Sequence, residues 1–133
     1  MTVIDEQKQA AGAAAAREIR DGMTVGLGTG STAAHFVTSL AGRARDEGLV
    51  LRCVATSLAT AELASGLGLP VVPLDQVDAI DITVDGADEI GPGLSLIKGG
   101  GAALLREKLV WESSRRCIVI ADAAKVVPIL GAF

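Results

Sequence analysis

Tyrosine is absent, and two phenylalanines and one tryptophan are the only large aromatic side chains in 133 residues. A chain that binds nucleic acid by stacking bases needs more than that. A net charge of −4 with no basic block removes the electrostatic footprint as well. Cysteine occurs twice, at Cys53 and Cys117, with no CxxC or His-rich spacing around either. That leaves no metal-binding pattern and no disulfide framework, and both residues read as buried free thiols within strands. The single histidine, His35, falls with Thr38, Ser39 and Gly42 on the polar side of its helix, where it reads as exposed and non-catalytic. Hydrolysis through a Ser-His-Asp triad is therefore disfavoured. Also missing is any apolar run approaching the ~20 residues that cross a bilayer, and the N-terminus is acidic and polar, unlike a signal peptide. With half its residues apolar and a fifth charged, the chain fits one cytoplasmic domain over residues 1–133.

What is present is an alternation of apolar runs and helical patterns. Thr2 and Asp5 suit a capping box for an alanine-rich helix reaching Arg20, where Asp21-Gly22 supplies a stop. Met23 to Gly28 reads as a buried strand, the glycine-rich turn Gly28 to Thr32 follows, and Thr32 to Asp46 reads as a helix with Ala33, Phe36, Val37, Leu40 and Ala44 on one face. Val50–Ala55 reads as a second strand, Leu58–Leu67 as a helix, and Pro70–Pro73 as a short extended piece. Ala79–Val84 gives a third strand, Ala102–Ser114 a helix, and Cys117–Ala121 a fourth strand. Continuous apolar strands alternating with helices predict an α/β fold: a doubly wound, mostly parallel sheet with helices on both faces. Ligands in such sheets sit beyond the carboxyl ends of the strands, and the polar clusters Thr29 to Thr32, Thr56-Ser57, Asp85 to Asp88 and Asp122 all fall there.

Four clusters carry candidate chemistry, each with a plain structural alternative. The turn Gly26-Leu-Gly-Thr-Gly-Ser-Thr32 offers amide and hydroxyl donors to a small phosphate or sugar oxygens, or is simply a tight strand-to-helix connection. It does not match a dinucleotide fingerprint, because Ser31 stands at the third glycine and Ala55-Thr56-Ser57 lacks the acid that holds a ribose. Asp85 and Asp88 flank Gly86-Ala87 in a short loop. Close carboxylates push one pKa upward and prepare a proton carrier, although aspartates also cap turns or gather a hard cation. Lys98 with Gly99, Gly100 and Gly101 groups an ammonium with unpaired amides at a helix start, suited to an oxyanion or to a solvated lysine. Glu107 lies at helical spacing beside Ala103, Leu104, Val110 and Trp111, where partial desolvation makes a base. It can equally pair with Arg106 or Lys108 at the surface.

Val25-Gly-Leu-Gly-Thr-Gly-Ser-Thr-Ala-Ala-His35, Thr56-Ser57 with Thr60, Val84-Asp-Gly-Ala-Asp-Glu89, Ile97-Lys-Gly-Gly-Gly101, Leu105-Arg-Glu-Lys108 and Ile120-Ala-Asp-Ala-Ala-Lys125 follow one another in fixed order. Together they resemble type A ribose-5-phosphate isomerase, from about Asp5 to the last residue. The resemblance implies a Rossmann-like domain related to sugar-phosphate deaminases and coenzyme A transferases. It implies a cofactor-free, metal-free interconversion of ribose 5-phosphate and ribulose 5-phosphate in the pentose phosphate pathway, by a homodimer or homotetramer. Carried over by residue, it makes Glu107 the base and Asp85, with Asp88 beside it, the ring-opening and oxygen-to-oxygen proton carrier. Lys98 and Gly99 to Gly101 become the enediolate stabilisers, with Gly86 and Ala87 in the substrate loop. Thr29, Gly30, Ser31 and Thr32 become the substrate-binding turn, Lys125 a phosphate ligand, and Lys8 a further one. The chain departs from the family at Leu130-Gly-Ala-Phe133, where the family continues with a Pro-rich strand, a small α/β domain and closing elements. The expectation is an incomplete fold with exposed apolar edges, prone to aggregate or dependent on a partner. A non-catalytic sugar-phosphate-binding or sensor domain, or an inactive fragment, is the competing reading.

Overall fold

The computed structural model describes residues 3–86, 109–120 and 126–130. The elements run α1 (Val3–Ala16), β1 (Thr24–Leu27), α2 (Ser31–Glu47), β2 (Arg52–Ala55), α3 (Leu58–Gly66), a 3-10 turn at Leu74–Gln76, β3 (Ile80–Gly86), β4 (Ser114–Ile120) and β5 (Val126–Leu130). Residues 109–112 are also helical. The strands form one sheet in the order β2-β1-β3-β4-β5, parallel throughout except for the antiparallel pair β4–β5. Pro128 lies in β5 at the edge of this order, a position where its missing N–H does not break an interior ladder.

The period of two along each strand sorts the side chains between two covered faces. Val25, Leu27, Cys53, Ile82, Val84, Ile118 and Ile120 pack on one side in a core that includes Ala11 and Ala15 of α1 and Phe36, Val37 and Leu40 of α2. Val54, Val110 and Ile80, at the start of β3, form a second, smaller cluster. Beside this cluster Ser114 Oγ donates to the Val110 carbonyl at 2.6 Å and accepts from Thr83 Oγ1 at 2.5 Å, which ties the end of the 109–112 helix to β3. Helices α1, α2 and α3 thus feed the larger core, and among the described residues the helical turn 109–112 contributes Val110 to the smaller one. Among the described residues no helix is long and apolar enough to cross a membrane.

Several boundaries and placements differ from expectation. α1 ends at Ala16 rather than Arg20, because the chain tightens there and Arg43 Nη1 donates to the carbonyls of Ala16 and Ile19, giving acceptors at the helix end a partner. The helix expected to Ser114 stops at residue 112, and β4 starts at Ser114 rather than Cys117, since Ser114 already pairs with Ile80. β3 continues past Val84 to Gly86, so Asp85 sits in the strand and not in a loop; its partner is Val119 on β4. β5 is a fifth strand among the described residues, where four were expected. His35 is half-buried rather than exposed, because α1 packs over the His35–Phe36 backbone at Gly12. The Thr2–Asp5 capping box lies outside the described side chains.

Candidate functional site

The chain leaves β1 toward β2 on one side of the sheet and returns to β3 on the other, so the strand order reverses between β1 and β3. In open α/β sheets the crevice at such a reversal, beyond the carboxyl ends of the strands, is where ligands bind. Three segments meet there: the turn Gly28 to Thr32 after β1, Thr56 to Thr60 after β2, and Asp85-Gly86 ending β3.

Asp85 is fully buried, and its Oδ1 accepts the Gly86 amide at 2.9 Å and the Thr29 amide at 3.2 Å. It is a carboxylate held in place by backbone, ending the central strand. Gly28 permits this, because a Cβ there would overlap the Asp85 carboxyl and lie 2.7 Å from its Cα. Across the turn, Gly30 occupies the N-cap of α2 with φ 95°, and among the described residues no side chain caps the helix. The first-turn amides therefore remain available to an acceptor from outside, at the positive end of a 17-residue helix. Lys8, reaching over from α1, donates from Nζ to Ser31 Oγ at 2.9 Å and adds a full positive charge to that end.

A hydroxyl network fixes the turn between these ends. Thr56 Oγ1 donates to the Leu27 carbonyl at 2.9 Å and lies 2.7 Å from Thr29 Oγ1. Thr60 Oγ1 donates to the Gly28 carbonyl at 2.9 Å and accepts from Ser57 Oγ at 3.0 Å. Ser57 also caps α3 by accepting the Thr60 amide at 3.2 Å. Chemically, the arrangement offers a cationic, donor-rich end for an anion and, one turn away, a buried carboxylate that can move a proton on an adjacent hydroxylated group. The apolar groove lined by Val54, Leu58, Val72, Leu74 and Leu109 runs beside this sheet end and contains none of these polar groups apart from Ser57.

Of the residues singled out from sequence, Lys8, Thr29, Gly30, Ser31, Thr32, Asp85 and Gly86 converge at this crevice. Thr32 is buried in the first turn of α2. Ala87, Asp88, Lys98, Gly99, Gly100, Gly101, Glu107 and Lys125 lie outside the described residues. Among the described residues no group of three or more His, Cys, Asp or Glu is placed to hold a metal ion. Sequence reading noticed Thr56 and Thr60 but gave them no task; the available signal was a polar pair directly after an apolar strand. It missed the Thr83–Ser114 contact, which no local pattern announces.

Burial raises the Cys53 thiol to about 12. Burial also raises Cys117 to about 11, with the Ser114 hydrogen bond lowering it and the Asp85 charge raising it. Neither is a thiolate near neutral pH, so neither is nucleophilic. Iodoacetamide at pH 8 is expected to label both only after denaturation; rapid labelling of the native chain would contradict the burial.

The model of the family described as ribose 5-phosphate isomerase A (phosphoriboisomerase A) matches residues 52–133. The ribose-5-phosphate isomerase A of Caulobacter vibrioides is 66% identical over 129 residues, covering 97% of this chain and 56% of the relative. Among solved structures, a D-ribose-5-phosphate isomerase in complex with phospho-erythronic acid aligns with a TM-score of 0.78 and 44% identity, over 90% of this chain and 52% of that one. The ribose 5-phosphate isomerase A of Methanocaldococcus jannaschii gives 0.76 and 40%, over 86% and 51%. The chain thus spans about half the length of the relatives it matches. Sequence identity at this level, together with a shared fold over nearly the whole chain, means that it belongs to the ribose 5-phosphate isomerase A family.

Proposed function

We propose that this chain carries the site of a cytoplasmic aldose–ketose isomerase that interconverts D-ribose 5-phosphate and D-ribulose 5-phosphate through an enediolate, within the pentose phosphate pathway. The observation that carries the proposal is the meeting of Lys8 and Ser31 at the uncapped start of α2 with the buried Asp85 across the switch point. A solved relative complexed with phospho-erythronic acid supports it, since that ligand joins a phosphate to an oxygen-rich carbon chain.

In this reading the phosphate sits on Lys8, Ser31 and the first amides of α2, with Lys125 as a further ligand, and Gly30 keeps the turn open to it. Asp85, with Asp88 beside it, takes the ring-opening proton and later moves a proton between O1 and O2. Glu107 removes the proton from C2 of the open aldose; as the C2–H electron pair forms the C1–C2 double bond, O1 gains a proton. Glu107 then delivers the proton it removed to C1 while the O2 hydroxyl gives up its proton to Asp85 and C2 becomes the carbonyl, so no external redox partner is needed. Lys98 and the amides of Gly99, Gly100 and Gly101 hold the enediolate oxygens, and Gly86 with Ala87 completes the loop. The working assembly is a homodimer or homotetramer.

The test is ketose formation from ribose 5-phosphate by the purified chain in the presence of a chelator, alongside Glu107→Gln. Turnover is expected to survive the chelator and to fall by about 10²- to 10⁴-fold in the variant, the range of general acid–base catalysis, while phosphosugar binding persists. Normal turnover by Glu107→Gln would remove that residue as the base. A folded wild-type chain that binds ribose 5-phosphate without converting it would replace the isomerase with a sugar-phosphate-binding domain.

A further inference from the structure

Two close oxygen pairs involve Thr56, and together they determine where a third residue's proton points. Thr56 Oγ1 lies 2.9 Å from the Leu27 carbonyl oxygen and 2.7 Å from Thr29 Oγ1. Each contact requires one proton between its oxygens. A carbonyl has none to give and a threonine hydroxyl has one, so Thr56 commits its proton to Leu27 and the proton between the two hydroxyls belongs to Thr29. Thr56 is 1% exposed, so bulk water does not compete for this arrangement. The backbone beside Thr29 is clamped as well: the Gly28 amide donates to Val84 at 2.9 Å and the Gly28 carbonyl accepts from Thr60.

We infer that Thr56 is a positioning residue that fixes the half-buried Thr29 hydroxyl as a hydrogen-bond acceptor toward the ligand, so that this end of the turn selects a sugar hydroxyl and disfavours an anionic oxygen. With its own proton engaged, Thr29 presents lone pairs. A ligand hydroxyl can donate to them, whereas a phosphate or carboxylate oxygen meets like charge density there, beside the Asp85 carboxylate that already holds the Thr29 amide. Ser31 has the opposite polarity. Its oxygen accepts from Lys8, leaving its proton for an anionic oxygen. One five-residue turn therefore has a donor end and an acceptor end, and a phosphosugar enters with its phosphate toward Lys8 and a hydroxyl toward Thr29. This deepens the phosphosugar reading above and rests on it.

Calorimetric titration of the full chain with ribose 5-phosphate and, separately, with inorganic phosphate tests the assignment. Thr56→Val keeps the shape and removes the acceptor for the Thr29 proton. It is expected to weaken ribose 5-phosphate binding by about tenfold, the upper range for one hydrogen bond, with inorganic phosphate changed by less than about twofold. Thr56→Ser, which retains the hydroxyl, should behave as wild type. Thr29→Val should lose the same preference, and adding Thr56→Val to it should change nothing further. Equal loss for both ligands, additive effects in the double variant, or an unaltered preference in Thr56→Val each overturns the inference alone. Should Thr56→Val fail to fold, a preference that survives in Thr29→Val has the same meaning. A wild-type chain that binds ribose 5-phosphate no more tightly than inorganic phosphate overturns both this inference and the phosphosugar reading.

Discussion

Asp85→Asn is expected to lower isomerase turnover by about 10²-fold or more while leaving the melting temperature nearly unchanged. The two halves of that result follow from different atoms. Asp85 is fully buried, and its Oδ1 accepts two backbone amides, from Thr29 and Gly86. An asparagine carbonyl can accept both bonds from the same place with nearly the same volume, so the turn and the end of β3 keep their geometry. What disappears is the negative charge and the ability to take up and return a proton. Asp85→Ala is the informative contrast, because it strands two amide donors in a buried site and should destabilise the chain by about 1–3 kcal/mol per unsatisfied group. An independent check on the charge comes from Cys117, whose thiol the Asp85 carboxylate helps to raise. In Asp85→Asn its pKa should fall below about 11, though burial keeps it well above the free value. Turnover of Asp85→Asn within a few-fold of wild type would remove this carboxylate from the proton path.

The parts of this architecture that sequence made legible are those whose cause is local. Val25 to Leu27 and Ile82 to Val84 are uninterrupted by charge, and strands buried on both faces must look like that. The turn after β1 was legible for the same reason, since its glycines stand where a strand gives way to a helix. The misreadings share a non-local cause. Asp85-Gly86 has the composition of a turn, yet pairing of Gly86 with Ile120 on β4 holds both residues in the strand. Ser114 to Arg116 looks too polar for a buried sheet, but Arg116 meets Glu18 at 3.1 Å, a partner 98 residues earlier beyond the end of α1. Lys8 and Ser31 are 23 positions apart and join only because α1 lies against α2. The orientation of the Thr29 proton lies deeper still. It depends on two oxygen–oxygen distances around Thr56, which no residue pattern encodes.

Gly28→Ala is expected to damage both the fold and the site. The added methyl carbon would overlap the Asp85 carboxyl and stand 2.7 Å from the Asp85 Cα. A long surface side chain could swing away from such a contact, but here the obstacle includes the backbone of the central strand. Moving β1 instead would strain the Gly28 amide bond to the Val84 carbonyl and the Leu27–Val84 register. Overpacking of this kind typically costs about 1–3 kcal/mol, which for a chain this size lowers Tm by roughly 5–15 °C. The displacement falls on the residue assigned to proton transfer, and a shift of about an ångström there is enough to reduce turnover by on the order of 10²-fold. Gly66→Ala separates this mechanism from a general intolerance of glycine replacement. Its Cβ would meet nothing within 4 Å at the end of α3, so the same chemical change should leave Tm unchanged or raise it slightly. Opposite signs for the two variants locate the requirement in the β1–β3 contact, where the backbone after one strand must pass against the carboxylate that ends the next. Equal Tm values for Gly28→Ala and wild type would mean that the two segments stand farther apart than the site requires.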